Sequence, residues 1–120
     1  MNNGQSGLEI QRSIALAPSR STTYSITTDI GTGSAIPMGG ASFGSIRVVT
    51  ETGMATVTGY ASIDGVAANA SLIYDTSGAL VTLPVSDVGW FEMPSAWLSV
   101  PILHLESDNG SATIQVFTKG

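Results

Sequence analysis

His104 is the one histidine in the chain, so any serine nucleophile that needs an imidazole to take its proton must find it there. Its context, Ile102-Leu103-His104-Leu105-Glu106, reads as the middle of a strand, with His104 on the face of Ile102 and Glu106. Catalytic groups concentrate on strand ends and loops, and no Gly-x-Ser-x-Gly elbow surrounds any serine. The sequence therefore gives His104 a structural or surface role. Nine Asp and Glu residues are present, and two carboxylates flanking a sugar-sized cleft would suffice for glycosidase chemistry. Yet Asp64-Gly65, Asp75 to Gly78 and Asp108-Asn109-Gly110 are explained as turns, where Asp bonds its own backbone and glycine supplies the special dihedral. The Asp-x-Asp/Asn-x-Asp/Asn-Gly calcium loop is missing. Without cysteine there is neither thiolate nor disulfide chemistry. Gly31-Thr32-Gly33 lacks the third glycine and the following helix of a dinucleotide fingerprint, and no Walker loop occurs. The expectation is a non-enzyme without metal or cofactor, acting by presenting a surface.

Trp90, Phe91 and Trp97 are the side chains best suited to such a surface, grouped around Pro94 in a chain with 7% aromatic residues. They suit a platform for sugar rings or a protein partner, with Trp90 and Trp97 as contacts, or a plug at one end of a small core; the burial a small core needs favours the plug. A second candidate contact lies at the N-terminus. Met1–Gly7 is too polar to join a core, whereas Leu8, Ile10, Ile14 and Leu16 are too apolar for a linker, and Arg12 and Arg20 could pair with carboxylates. Leu8, Ile10, Arg12 and Ile14 are thus expected in a docking arm, residues 1–20, mobile until it meets a partner. The competing reading makes residues 10–20 the first strand.

The elements that must hold these residues are strands. Of 120 residues, 42% are hydrophobic and 11% charged, and the polar remainder is Ser, Thr, Gly and Asn rather than the Lys and Glu of surface helices. One domain, residues 21–120, fits this length. Ser21–Thr28 alternates Tyr24 and Ile26 with hydroxyls, and the glycines between 31 and 44 read as a loop. Ser45–Thr50 and Met54–Ser62 then flank Glu51-Thr52-Gly53 as a hairpin, as do Ser71–Tyr74 and Ala79–Val85 around Asp75–Gly78. Val88–Met93 is ended by Pro94, and Leu98–Ser107 with Ser111–Thr118 brackets Asn109-Gly110, a strong hairpin signal. About eight strands in all fit a β-sandwich or jelly roll. The alternation places Ile46 and Val48, Ala55 and Val57, Leu72 and Tyr74, Val81 and Leu83, Leu103 and Leu105, and Ala112, Ile114 and Val116 in the core.

Charge and hydropathy narrow the partners. With a net charge of −5 and four Lys and Arg in all, neither nucleic acid nor an anionic membrane surface is an expected partner. The apolar run Ile14–Ala17 is too short for a secretory core, and nothing approaches a membrane span.

From Ala41 onward, the cadence of Gly59-Tyr60, Asp64-Gly65, Leu72-Ile73-Tyr74-Asp75 with Gly78, Leu83-Pro84-Val85, Trp90 with Pro94, and Gly110-Ser111-Ala112-Thr113 to Lys119-Gly120 resembles the small β-sandwich virion proteins of tailed bacteriophages, in particular head decoration or cement proteins. The resemblance covers about two thirds of the chain. It implies a virion structural protein assembled in the host cytoplasm, often a homotrimer, that binds the outer capsid surface and clamps neighbouring subunits of the phage major capsid protein. The alternative is a carbohydrate- or host-receptor-binding module of a phage fibre or tail, in which Trp90 and Trp97 stack on sugars.

Overall fold

The computed structural model describes residues 19–31, 35–85 and 87–120. Nine strands follow one another in that part of the chain: β1 (Ser19–Ile26), β2 (Ile36–Pro37), β3 (Phe43–Thr52), β4 (Thr56–Ser62), β5 (Ser71–Leu72), β6 (Thr82–Pro84), β7 (Gly89–Glu92), β8 (Ile102–Ser107) and β9 (Ser111–Lys119). A 3-10 turn at Ala67–Asn69 and a single helical turn, α1 (Ser95–Leu98), are the described helical elements. All strand pairs are antiparallel, and the strands form two sheets. The first has the order β1-β9-β3-β7; the second has β2-β8-β4-β5, with β6 also paired to β4. The chain is an all-β sandwich.

Alternation builds the space between the sheets. Ile26 of β1, Ile46 and Val48 of β3, and Ala112, Ile114 and Val116 of β9 are buried from one side, and Val57, Leu103 and Leu105 from the other. Large residues from the connections close the ends: Ile36, Met38, Met93 and Trp97 are buried. Two short segments depart from expectation. Ile73 is buried while Leu72 and Tyr74 are exposed, a phase shift of one residue, and Ala55 is exposed beside buried Val57. The glycine-rich stretch before Gly44 contributes β2 and buried Met38, so it is partly core.

Two expected hairpins are corners instead. β3 and β4 belong to different sheets, as do β8 and β9, so the turns between them carry the chain across the sandwich. Both crossings nest against each other. One oxygen of Asp108 accepts the Ala55 and Thr56 backbone N–H groups, each at 2.9 Å. The Asp108 N–H reaches the Thr56 carbonyl at 2.9 Å, and Ser107 Oγ donates to the Gly110 carbonyl at 2.8 Å. Gly110 has φ 69°, and a Cβ there would lie 1.6 Å from the Thr52 carbonyl oxygen of the other corner. Glycine is thus required by dihedral and by contact together. Asn109 does not take a positive φ. The turn at Asp75 does match the sequence reading: its carboxylate accepts from the Ser77 and Ala79 N–H groups and the Ser77 hydroxyl, Gly78 has φ 83°, and Tyr74 bridges Leu80. Of the expected arm, only Ser19 and Arg20 are described, and they open β1.

Candidate functional site

The sequence placed Trp90 and Trp97 together; the fold separates them. Pro94 cannot continue the β7 ladder, and the turn that follows rotates Trp97 inward, its N–H donating to the Pro94 carbonyl at 3.0 Å. Trp97 is 0% exposed, with its indole against Gly59, where a Cβ would lie 2.5 Å from Nε1. Among the described residues no group accepts a hydrogen bond from that indole nitrogen. Trp97 is the plug of the core and offers a partner no surface. Trp90, on β7, stays 62% exposed on the outer face of the first sheet. Leu8, Ile10, Arg12 and Ile14 lie outside the described residues.

Trp90 has company that the sequence reading did not assign to it. Along β3, Gly44, Ile46 and Val48 point inward, so Phe43, Ser45 and Arg47 point out. Along β9, Ala112, Ile114, Val116 and Thr118 are buried, so Gln115, Phe117 and Lys119 share the outer face. The registers bring these rows together. Ser45 lies between Phe117 and Glu92, Arg47 between Gln115 and Trp90, and Phe43 opposite Lys119. Across the small Ser45, the Trp90 and Phe117 rings meet with centroids 4.9 Å apart at a 37° tilt. The Arg47 guanidinium donates to the Gln115 side-chain oxygen at 3.0 Å. Phe43 is 69% exposed and separates two open depressions. One, of about 760 Å³, runs from Phe43 past Glu92 to Pro94 and Leu98; the other, of about 460 Å³, runs between Phe43, Phe117, Lys119 and Arg20. Phe117 was legible in principle, being out of phase with Ile114 and Val116. Phe43 belongs to the outward row of β3, which begins before Ser45.

Charge is divided with the sheets. Arg20, Arg47 and Lys119 all sit on the first sheet, against Glu51 and Glu92. Asp29, Asp64, Asp75, Asp87, Glu106 and Asp108 lie on the second sheet or in connections. The outer, aromatic face carries Arg47, Lys119 and Glu92, while Arg20, opposite buried Thr118, turns toward the second sheet and donates to the Pro37 carbonyl at 3.4 Å.

The residues first tested for chemistry gather elsewhere. Ser62 Oγ and His104 Nε2 share a hydrogen bond of 2.7 Å across β4 and β8, and Oγ also accepts the Gly65 N–H at 3.0 Å. Both residues are buried, at 5% and 2% exposure, and the pair ties down the connection after β4. Burial lowers the His104 pKa, partly offset by the charge of Asp64. Beside it, the Tyr60 hydroxyl donates to Glu106 at 3.0 Å, and its pKa is raised by burial and then by that carboxylate. Asp64 is lowered by the Val66 N–H and the Asn69 side chain. No group of three or more His, Cys, Asp or Glu among the described residues is placed to hold a metal ion.

No protein-family model and no curated protein matches the chain. Among solved structures, the SPBc2 prophage-derived protein YomS is similar over 86% of this chain and 96% of that one, with a TM-score of 0.48 and 11% sequence identity. A likeness this distant carries no functional argument.

Proposed function

We propose that the protein is a non-enzymatic virion structural protein that binds the outer surface of a tailed-phage capsid and cements neighbouring subunits of the major capsid protein. The observation that carries this reading is the aromatic face of the first sheet. Trp90, Phe117 and Phe43 stand on a strand-built surface rather than on loops, so their geometry is set before a partner arrives, which limits the ordering cost of docking. Exposed Trp and Phe with Arg47 beside Trp90 are the residue types that anchor protein interfaces. Arg47 and Lys119 on the same face, with Glu92 its one described carboxylate, suit a neutral or acidic partner surface. On a symmetric lattice many modest contacts act together, so no single copy needs high affinity.

A carbohydrate-binding role is the second reading, favoured by one observation: the Trp90 ring is open to solvent beside the Arg47–Gln115 pair, a stacking surface next to hydrogen-bonding groups. Co-sedimentation with undecorated capsids separates the two. Wild-type protein should pellet with capsids, and Trp90→Ala should reduce the bound fraction about tenfold or more, the loss typical of an interface anchor. Wild-type protein that stays in the supernatant yet binds glycans on an array through Trp90 would replace the cementing role with the sugar-binding one.

A further inference from the structure

A free strand edge presents unpaired N–H and C=O groups, and folded proteins blunt such edges with short strands, proline, bulges or charge. The sandwich does this at every described edge but one. β2 has two residues and includes Pro37, β5 has two, β6 has three and ends in Pro84, and β7 has four with Pro94 just beyond. β1 has eight, with neither proline nor glycine and no register shift against β9, its single strand neighbour among the described residues. Arg20, Ser21, Thr22 and Thr23 are exposed in succession, with the Arg20 side chain reaching the Pro37 carbonyl at 3.4 Å on the inner side.

Charge indicates what fits there. Two copies of a chain of charge −5 repel each other, but β1 carries no carboxylate and Arg20 is its one charge. We infer that β1 is a self-association edge, pairing antiparallel with β1 of a second copy about a two-fold axis and joining two four-stranded sheets into one of eight strands. Such an axis requires a residue to face its own copy. With Thr22 on the axis, Arg20 faces Tyr24 of the second copy; with Thr23 there, it faces Ile26. Neither register sets like charges opposite, and both bring hydroxyl side chains together, a pairing that stabilises adjacent strands. The two aromatic faces would then lie on the same side of one sheet. The inference stands on the edge itself and does not require the capsid reading.

Sedimentation equilibrium of the full chain at about 100 µM, a range that detects weak interfaces, should show a dimer. Thr22→Lys with Thr23→Lys changes two exposed positions and sets lysines against each other at the axis. It should weaken the dimer about tenfold or more with an unchanged far-UV circular dichroism spectrum. Amide hydrogen exchange of the wild type provides a readout that needs no variant: protection of β1 should rise with protein concentration. A monomer at that concentration, a trimer, or a dimer indifferent to the lysines overturns the inference. So does β1 protection independent of concentration, which would put another part of the same chain on the edge.

Discussion

One oxygen of Asp108 holds two backbone N–H groups of the opposite corner, and those bonds lower its pKa below the ordinary 3.8. Next to it, Gly110 stands where no other residue fits. Gly110→Ala should destabilise the protein by about 2–4 kcal/mol, because the methyl group meets the Thr52 carbonyl at a positive φ. Asn109→Ala, at an exposed position of ordinary φ, should cost less than about 1 kcal/mol. Chemical denaturation of both variants checks this, and equal losses would contradict the nested corners. His104 makes a second prediction. Its folded pKa lies below the ordinary 6.5, so the unfolded chain takes up the proton first as pH falls. Stability should therefore decline as pH drops below 6.5 and level off once pH passes the folded value. Asp64, Asp75 and Asp108 are lowered from 3.8, so they act only in more acidic solution, where protonation removes their contribution. Melting temperatures from pH 7 to 5 should fall for the wild type and fall less for His104→Gln. Parallel curves would show that burial of the imidazole does not set the dependence.

At the level of elements, alternation was legible and connectivity was not. Ile46, Val48, Leu103, Leu105, Ile114 and Val116 are core residues by period alone, because a strand with one wet face must alternate. Asn109-Gly110 and Glu51-Thr52-Gly53 announced a reversal of the chain, but local turn chemistry is silent on whether the returning strand joins the same sheet. That choice depends on partners far away in sequence: β9 pairs with β1 and β3, and β8 with β4. Segments as short as Ser71–Tyr74 offered too few residues to fix which side faces in, so Ile73 was misplaced. The candidate site was half legible. Trp90 was found through its residue type, while Phe43 and Phe117 needed the register that carries them beside it. The same proximity in sequence that linked Trp97 to Trp90 misled, since one helical turn sends the second ring into the core.

Across the whole molecule the two sheets differ in kind. The first exposes aromatic rings and holds the described cations, and the second, with the loops, holds most of the carboxylates. Apolar groups are exposed on the second side as well, at Ile63, Val66, Leu72, Tyr74 and Leu80, but they adjoin Asp64 and Asp75 rather than arginine. Docking through the first sheet should therefore leave Tyr74 accessible, which makes it an internal control for Trp90, Phe43 and Phe117. The most direct measurement is hydroxyl-radical footprinting of the protein free and bound to capsids, with oxidation of each ring followed by mass spectrometry. Protection of Trp90, Phe43 and Phe117 with Tyr74 unchanged is the predicted result, and protection of Tyr74 with those three rings still oxidised would contradict the account.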